Sequence, residues 1–353
     1  MKTHFLISAL LVTLLFSCDP TRIVRYETAS ISTDPVNLAE LNTPSNDYNS
    51  AGPPTLIMGM PFFFSSDRPI NPQSFSQPYA LAAKGKFDVL GYRTSLFFNQ
   101  NSGTWRWQVG PSVSAGSDRY PPSFAYSVLQ QMNTSANELG PYIHMLNASE
   151  SDLFMNSSDS TGNLDIYFMS YPKTCIDCSL PFPKSERMAA TRLNSDKDDA
   201  YPTLTADNTQ LLFTSNRNGS FDLFSVDVSG QPIKDALIGE STSGKSPQLI
   251  PSLNSPADDK CPYINGSLLV FTSNRPGGYG GYDLYYSRWI NGQWSAPVNF
   301  GPAINSSADE YRPVAFRADM FENNLMIFSS NRSGGQGGFD LYYVGIPKAL
   351  INP

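Results

Sequence analysis

Short apolar runs of four to eight residues recur along the chain, each bounded by Gly, Asn, Asp or Pro. They alternate with polar positions or carry several aromatics, and beyond the first residues no long stretch keeps a 3.6-residue apolar period. This pattern predicts strands joined by tight turns rather than helices. Phe62-Phe-Phe-Ser-Ser-Asp-Arg68 and Leu153-Phe-Met-Asn-Ser-Ser-Asp159 each open a pair of runs, which close at Phe87-Asp88-Val89-Leu90 and Leu164-Asp165-Ile166-Tyr167. Asn291-Gly292 predicts a two-residue type I′ hairpin, because both residues tolerate positive φ.

The runs belong to a repeat. Phe271-Thr-Ser-Asn-Arg275-Pro-Gly-Gly-Tyr-Gly-Gly-Tyr-Asp283-Leu-Tyr285 is rewritten as Phe328-Ser-Ser-Asn-Arg332-Ser-Gly-Gly-Gln-Gly-Gly-Phe-Asp340-Leu-Tyr342, with a shorter version from Phe213 to Phe224. Asp222, Asp283 and Asp340 stand 61 and 57 residues apart. A second signal lies between these turns. Asn133, Asn194, Asn254 and Asn305 each precede Ser or Thr, and a proline (Pro141, Pro202, Pro262, Pro313) follows eight positions later. Three residues before each proline lies an acid: Glu138, Asp199, Asp259 or Glu310. Asn42-Thr43, Asp47 and Pro53 repeat the pattern with three extra residues, making five linkers.

Four antiparallel strands per unit, five times over, predict an all-β fold: a β-propeller of five four-stranded blades. The last copy ends at Leu341-Tyr-Tyr-Val-Gly345 without a fourth strand, and the N-terminal Asp34-Pro35-Val36-Asn37-Leu38 resembles Ala296-Pro297-Val298-Asn299-Phe300. The spare strand would complete the last blade and close the ring. Six blades are the alternative, since the first copy is unusually long.

Composition adds a compartment. Lys2 and the apolar run Phe5–Phe16 read as a secretory signal, too short to span a bilayer. Leu15-Phe16-Ser17-Cys18 looks like a bacterial lipobox, which makes Cys18 the lipidated residue. The expected organisation is a signal peptide at 1–17, a tether at 18–30 and a single propeller domain at 31–353. The chain is then exported and lipid-anchored in the cell envelope, at the outer membrane. The net charge of −7 and the lack of a basic cluster argue against nucleic acid as a partner. Cys175 and Cys178 form a C-x-x-C that reads as a local disulfide or two inert thiols, because no thioredoxin-like pattern surrounds it. With His144 as the one histidine after residue 17, no metal site or cofactor is expected.

Residues 294–345 resemble the WD-like β-propeller repeat of the TolB type. The resemblance rests on Trp294-Ser-Ala-Pro297-Val-Asn299, the Asn305-to-Glu310 linker, the Ser330-Asn-Arg332 turn and Asp340-Leu-Tyr342. It is close over the last three copies and weaker over the first two. It implies a non-catalytic scaffold that binds other envelope proteins and touches the membrane only through its anchor.

Arg217, Arg275 and Arg332 could form a ring of guanidinium forks for an acidic ligand, and the linker acids Asp47, Glu138, Asp199, Asp259 and Glu310 a ring for a cation or for sugar hydroxyls. Their recurrence in each copy favours a structural reading, with each arginine paired to an acid of its own blade. The second copy has Ser160 near the arginine position. The glycines 277–281 and 334–338 read as tight turns, since no helix follows them, and 159–165 as a turn that lacks the closing Glu of a calcium loop. The first copy departs from the repeat, with Phe75, Tyr79, Tyr120, Phe124 and Tyr126 in two insertions that are candidate partner-binding loops. The leading expectation is therefore an interaction scaffold that is not an enzyme. The alternative is a glycan-binding or glycoside-hydrolase-type five-bladed propeller.

Overall fold

The computed structural model describes residues 30–55, 60–69, 86–99, 104–109, 131–144, 152–171, 186–239 and 246–351. Strand β1 (Val36–Asn37) leads into a first blade of β2 (Asp47–Ala51), β3 (Met60–Ser66), β4 (Asp88–Asn99) and β5 (Thr104–Val109). The second is β6 (Glu138–His144), β7 (Asp152–Ser158), β8 (Asp165–Tyr171) and β9 (Met188–Ala189). The third is β10 (Asp199–Leu204), β11 (Gln210–Ser215), β12 (Asp222–Asp227) and β13 (Gln248–Leu249), with helix α1 (Ile233–Leu237) in the connection between β12 and β13. The fourth holds β14 (Asp259–Asn265), β15 (Leu268–Ser273) and β16 (Asp283–Ile290), the last pairing with both β17 (Gln293–Trp294) and β18 (Val298–Asn299). The fifth is β19 (Glu310–Phe316), β20 (Asn324–Ser330) and β21 (Asp340–Ile346), with helix α2 (Lys348–Ile351) after it.

The first strand of each blade packs against the first strands of both neighbouring blades, β2 against β6 and β19 included. These five strands therefore surround the axis and the ring is closed. The sixth blade of the alternative has no place, because β2 and β6 are adjacent. Closure comes from β1, which pairs with β21 in the register Val36↔Tyr343 and Asn37↔Tyr342. Asn37 donates to Asp340 at 3.0 Å, as Asn299 in β18 does to Asp283 at 2.8 Å.

Second strands lie between neighbouring blades, so both their faces are covered. β15 and β20 are buried at all positions, which is why they read as unbroken apolar runs rather than alternating ones. Phe64, Phe213, Phe271 and Phe328 are fully buried at matching points of four blades, each burial contributing about 2–3 kcal/mol.

The linker asparagines sew blade to blade. Each carboxamide accepts from the amide, and donates to the carbonyl, of one residue in the preceding blade's third strand. Asn305 does so with Leu284 at 2.8 and 3.1 Å, and Asn254 with Leu223 at 2.7 and 2.9 Å. Asn133, Asn194 and Asn42 hold Val89, Ile166 and Leu341 in the same way. The glycine turns answer a different demand. A Cβ at Gly280 or Gly337 would overlap the carbonyl oxygen of Ala308 or Ser45 in the following linker, so only glycine lets the turn lie against it.

Candidate functional site

The inner strands enter the ring at their acids, which puts the linkers and the Ser-Asn-Arg turns on one face. There Arg68, Arg217 and Arg275 place Nη2 2.5 Å from Asp47, Asp199 and Asp259, and Arg332 lies 2.9 Å from Glu310. All four acids are fully buried. The same Nη2 atoms donate to the carbonyls of Leu41, Leu193, Leu253 and Ile304, and the Nε atoms to Ser66, Ser215, Ser273 and Ser330. Each guanidinium also lies over the blade's buried phenylalanine, at 5.2–5.3 Å from Phe64, Phe213, Phe271 or Phe328. The second blade completes the ring with Arg187, which reaches Glu138 at 2.9 Å from just before β9 and stacks 3.9 Å over Tyr167. The carboxylates are consumed by these pairs, and of the five guanidinium groups that of Arg187 keeps a buried Nε without a hydrogen-bond partner among the described residues.

Burial still costs the acids. It pushes the Glu138 carboxyl up to about 7 against the opposing pull of Arg187, Thr134, Ser158 and Asn156, and pushes Asp47 up against Arg68. Arg187 is lowered, again chiefly by burial.

Two residues past each acid the inner strands bulge. Asn49, Tyr201, Cys261 and Arg312 have φ of 60°, 57°, 57° and 46°, and Gly140 matches them at 55°. Each sits within a break in the pairing with the second strand. The Tyr201 ring occupies the space a Cβ of Gly140 would need. Arg312, wholly buried, donates to the carbonyls of Pro262 at 3.2 Å and Pro141 at 3.3 Å. It thus reaches from the fifth blade to the fourth and second, across the axis. At the far end, Pro54 accepts from Asn265 at 2.6 Å and from the Arg317 amide at 2.9 Å, so the chain leaving β2 passes beneath the fourth and fifth blades.

Above this plug an aromatic collar rims the mouth of the axis. Phe87 packs against Tyr48 (4.9 Å between centroids), Tyr48 against Phe339 (5.8 Å), Phe339 against Tyr311 (6.3 Å) and Tyr311 edge-on to Tyr282 (5.7 Å). The Lys260 ammonium extends the series, 5.0 Å from Tyr282 and 3.9 Å from Phe221. All seven residues are half-buried, over a buried floor that includes Tyr201 and Cys261. Tyr282 sits between two half-buried carboxylates, its hydroxyl donating to Asp258 at 2.8 Å and its amide to Asp309 at 2.9 Å.

The collar was not anticipated from the sequence, although its signal is visible there. Phe87, Phe221, Tyr282 and Phe339 each precede the aspartate that opens a third strand, and Tyr48, Lys260 and Tyr311 each follow a linker acid. Among the described residues, no group of three or more His, Cys, Asp or Glu side chains gathers as a metal site. Asp159 is occupied by the Asn137 amide and carboxamide. Cys18, Phe75, Tyr79, Tyr120, Phe124, Tyr126, Cys175 and Cys178 lie outside the described residues.

No family model matches the chain, and no curated protein matches it in sequence. Solved structures resemble it in fold. A thermostable family-43 glycoside hydrolase matches at 11% identity over 84% of this chain and 88% of its own, with a TM-score of 0.48. An endo-arabinase from Bacteroides thetaiotaomicron matches at 12% identity over 90% of this chain and 97% of its own, with a TM-score of 0.46. TolB from Acinetobacter baumannii matches at 12% identity over 85% of this chain but 54% of its own, with a TM-score of 0.37.

These likenesses are of the β-propeller fold alone. They correct the expectation of a TolB-like, non-catalytic protein scaffold, and with it the expectation that the chain is not an enzyme. Glycoside hydrolases are among the propellers that resemble it, and so is a protein of unknown function from Dyadobacter fermentans, at 8% identity over 98% of its own length, with a TM-score of 0.44. The repeat motif on which the TolB reading rested is consumed in joining blades, which any closed propeller must do, and it carries no partner information.

Proposed function

We propose that this chain is a glycan-recognising propeller of the glycoside-hydrolase type, with its sugar site at the mouth of the axis. The observation that carries the reading is the aromatic collar. Sugar rings present C–H faces that rest on aromatic rings, and hydroxyl edges that need polar partners. Tyr48, Tyr282 and Tyr311 offer ring faces, and Lys260, Asp258 and Asp309 add charged groups at the edge. The mouth of a closed propeller is also where the rigid inner strands hold side chains in fixed relation, as a binding site requires.

Hydrolysis is the second reading, favoured by the two carboxylates flanking Tyr282, since glycoside hydrolysis works through a carboxyl pair. Asp258 is held below the usual carboxylate range by the Phe221 amide, the Tyr282 hydroxyl and Lys260, against the effect of burial. It would therefore serve as the ionised partner of such a pair.

The test is retention of the purified chain in gels containing arabinan, xylan or β-glucan, together with release of reducing sugar from each. Tyr311→Ala should weaken retention by about tenfold, a loss of about 1.4 kcal/mol. Asp258→Asn and Asp309→Asn should keep retention while turnover falls by about a hundredfold or more. If Tyr311→Ala and Tyr48→Ala are both retained like the parent protein, the collar is not a sugar site. If the parent protein binds but releases no sugar, hydrolysis is rejected and recognition stands.

A further inference from the structure

A second aromatic feature lies away from the mouth, at the outer end of the third and fourth blades. β16 runs on to Trp289 and Ile290, turns at Asn291-Gly292 with φ of 52° and 80°, and returns through β17 with Trp294 facing Trp289. The hairpin extends past the point where β18 supplies the fourth blade's outer strand, so blade closure does not need it. Yet it holds two indoles 5.1 Å apart, edge to face at 67°. Trp294 is 8% exposed and packs in the cluster of Leu212, Leu269, Phe271 and Tyr285. Trp289 rests on it at 42% exposure. An exposed indole braced by a buried one has little rotamer freedom left to lose on binding.

Two adjoining hollows of about 280 and 410 Å³ share Trp289, Trp294 and Gln210. Their polar wall is the turn between β10 and β11. The Gln210 carboxamide has no hydrogen-bond partner among the described residues. Asp207 is fixed by Thr205 and Thr209, its Oδ1 accepting from both hydroxyls and from the Thr209 amide. Those bonds hold its carboxyl below the usual range, against slight burial. The cleft thus pairs a rigid apolar platform with amide and hydroxyl groups, and the Asp207 carboxylate beside them is already ionised. Among the described residues, no Lys or Arg lines either hollow.

From this arrangement we infer a second glycan-binding site, specific for neutral sugars, on the outer edge between the third and fourth blades. The indole takes a sugar's C–H face, Gln210 takes hydroxyls, and Asp207 excludes uronic acids by charge. The site lies at the end of the ring opposite the collar, because the β10–β11 and β14–β15 turns follow the inner strands and the acids begin them. Its residues are independent of those proposed for the mouth.

The test uses the full chain and four variants, Trp289→Ala, Trp289→Phe, Gln210→Ala and Tyr311→Ala, on immobilised arabinan, xylan, galactan, mannan and β-glucan. Polygalacturonate and vesicles of phosphatidylethanolamine with phosphatidylglycerol complete the panel. Trp289→Ala should lower affinity for at least one neutral polymer by about tenfold, Gln210→Ala by about threefold, and Trp289→Phe should restore most of the loss. Polygalacturonate should not be bound through this site. Equal binding of Trp289→Ala and the parent protein to all polymers overturns the inference, as does binding of none by the parent. Vesicle binding lost in Trp289→Ala, without any effect on glycans, overturns it in favour of a membrane contact. Loss in Tyr311→Ala alone supports the mouth and refutes the cleft, while loss in the Trp289 and Gln210 variants alone does the reverse.

Discussion

Glu138 shows how a single residue sets a pH response. Its carboxyl titrates at about 7, raised from an ordinary value of 4.5, because desolvation outweighs the Arg187 guanidinium and three neutral donors. The folded chain therefore holds this proton more tightly than the unfolded chain. Stability from the group is fully present below about pH 4.5 and drains away as the pH rises to about 7. Glu138→Gln cannot titrate, so the stability of the parent protein minus that of the variant should fall across this window. The expected fall is on the order of 2–3 kcal/mol, read from denaturant unfolding of both proteins at each pH. A difference that stays flat, or grows with pH, would mean that the ionised pair with Arg187 wins over burial. The partner itself could not be found by counting along the repeat. Arg187 comes from the approach to β9, while the other four arginines follow a second strand. What the sequence does contain is the demand: a linker acid in a copy without its turn arginine needs a cation from elsewhere.

At the scale of elements, strand-forming runs, linkers and turns were legible because each answers a local constraint. The Asn291-Gly292 hairpin and the closing role of Val36-Asn37 could both be read from residue type and position. The collar was not legible in the same way, since its rings come from two places in the repeat and meet only between neighbouring blades. Function was least legible, because the loudest motif is the one that joins blades. The linker asparagine gives the sharpest test of that role. Asn305 is buried and holds both backbone groups of Leu284. Asn305→Ala leaves the Leu284 amide without a partner inside the fold, at about 1–3 kcal/mol, while the Leu284 carbonyl keeps the Phe300 amide. Thermal and denaturant unfolding should show a loss of about 1–3 kcal/mol. A loss below about 0.5 kcal/mol, the usual range for surface changes, would show that water or a neighbour replaces the clamp.

For the molecule as a whole, closure is the property on which both proposed sites depend, because the inner strands and the blade edges keep their places only in a complete ring. Closure rests on residues 30–42. β1 covers the β21 edge, Asn42 holds Leu341, the Ile31 amide donates to Asn323, and the Gly345 amide donates to Ser32. A chain beginning at Thr43 would present β21 as a bare edge and strip Asp340 of Asn37. Unpaired edges recruit other chains, so the shortened protein should associate in a concentration-dependent way by light scattering. Hydrogen exchange should rise first in β21 and β20, while β11 and β12 of the third blade keep their protection. A synthetic peptide of residues 30–42, added in excess, should restore the monomer and slow exchange in β21, as expected for a strand that docks by backbone pairing. A shortened chain that stays monomeric with unchanged exchange would show that the ring holds without its latch. Its stability would then have to come from the five linker clamps and the packing of inner strand against inner strand.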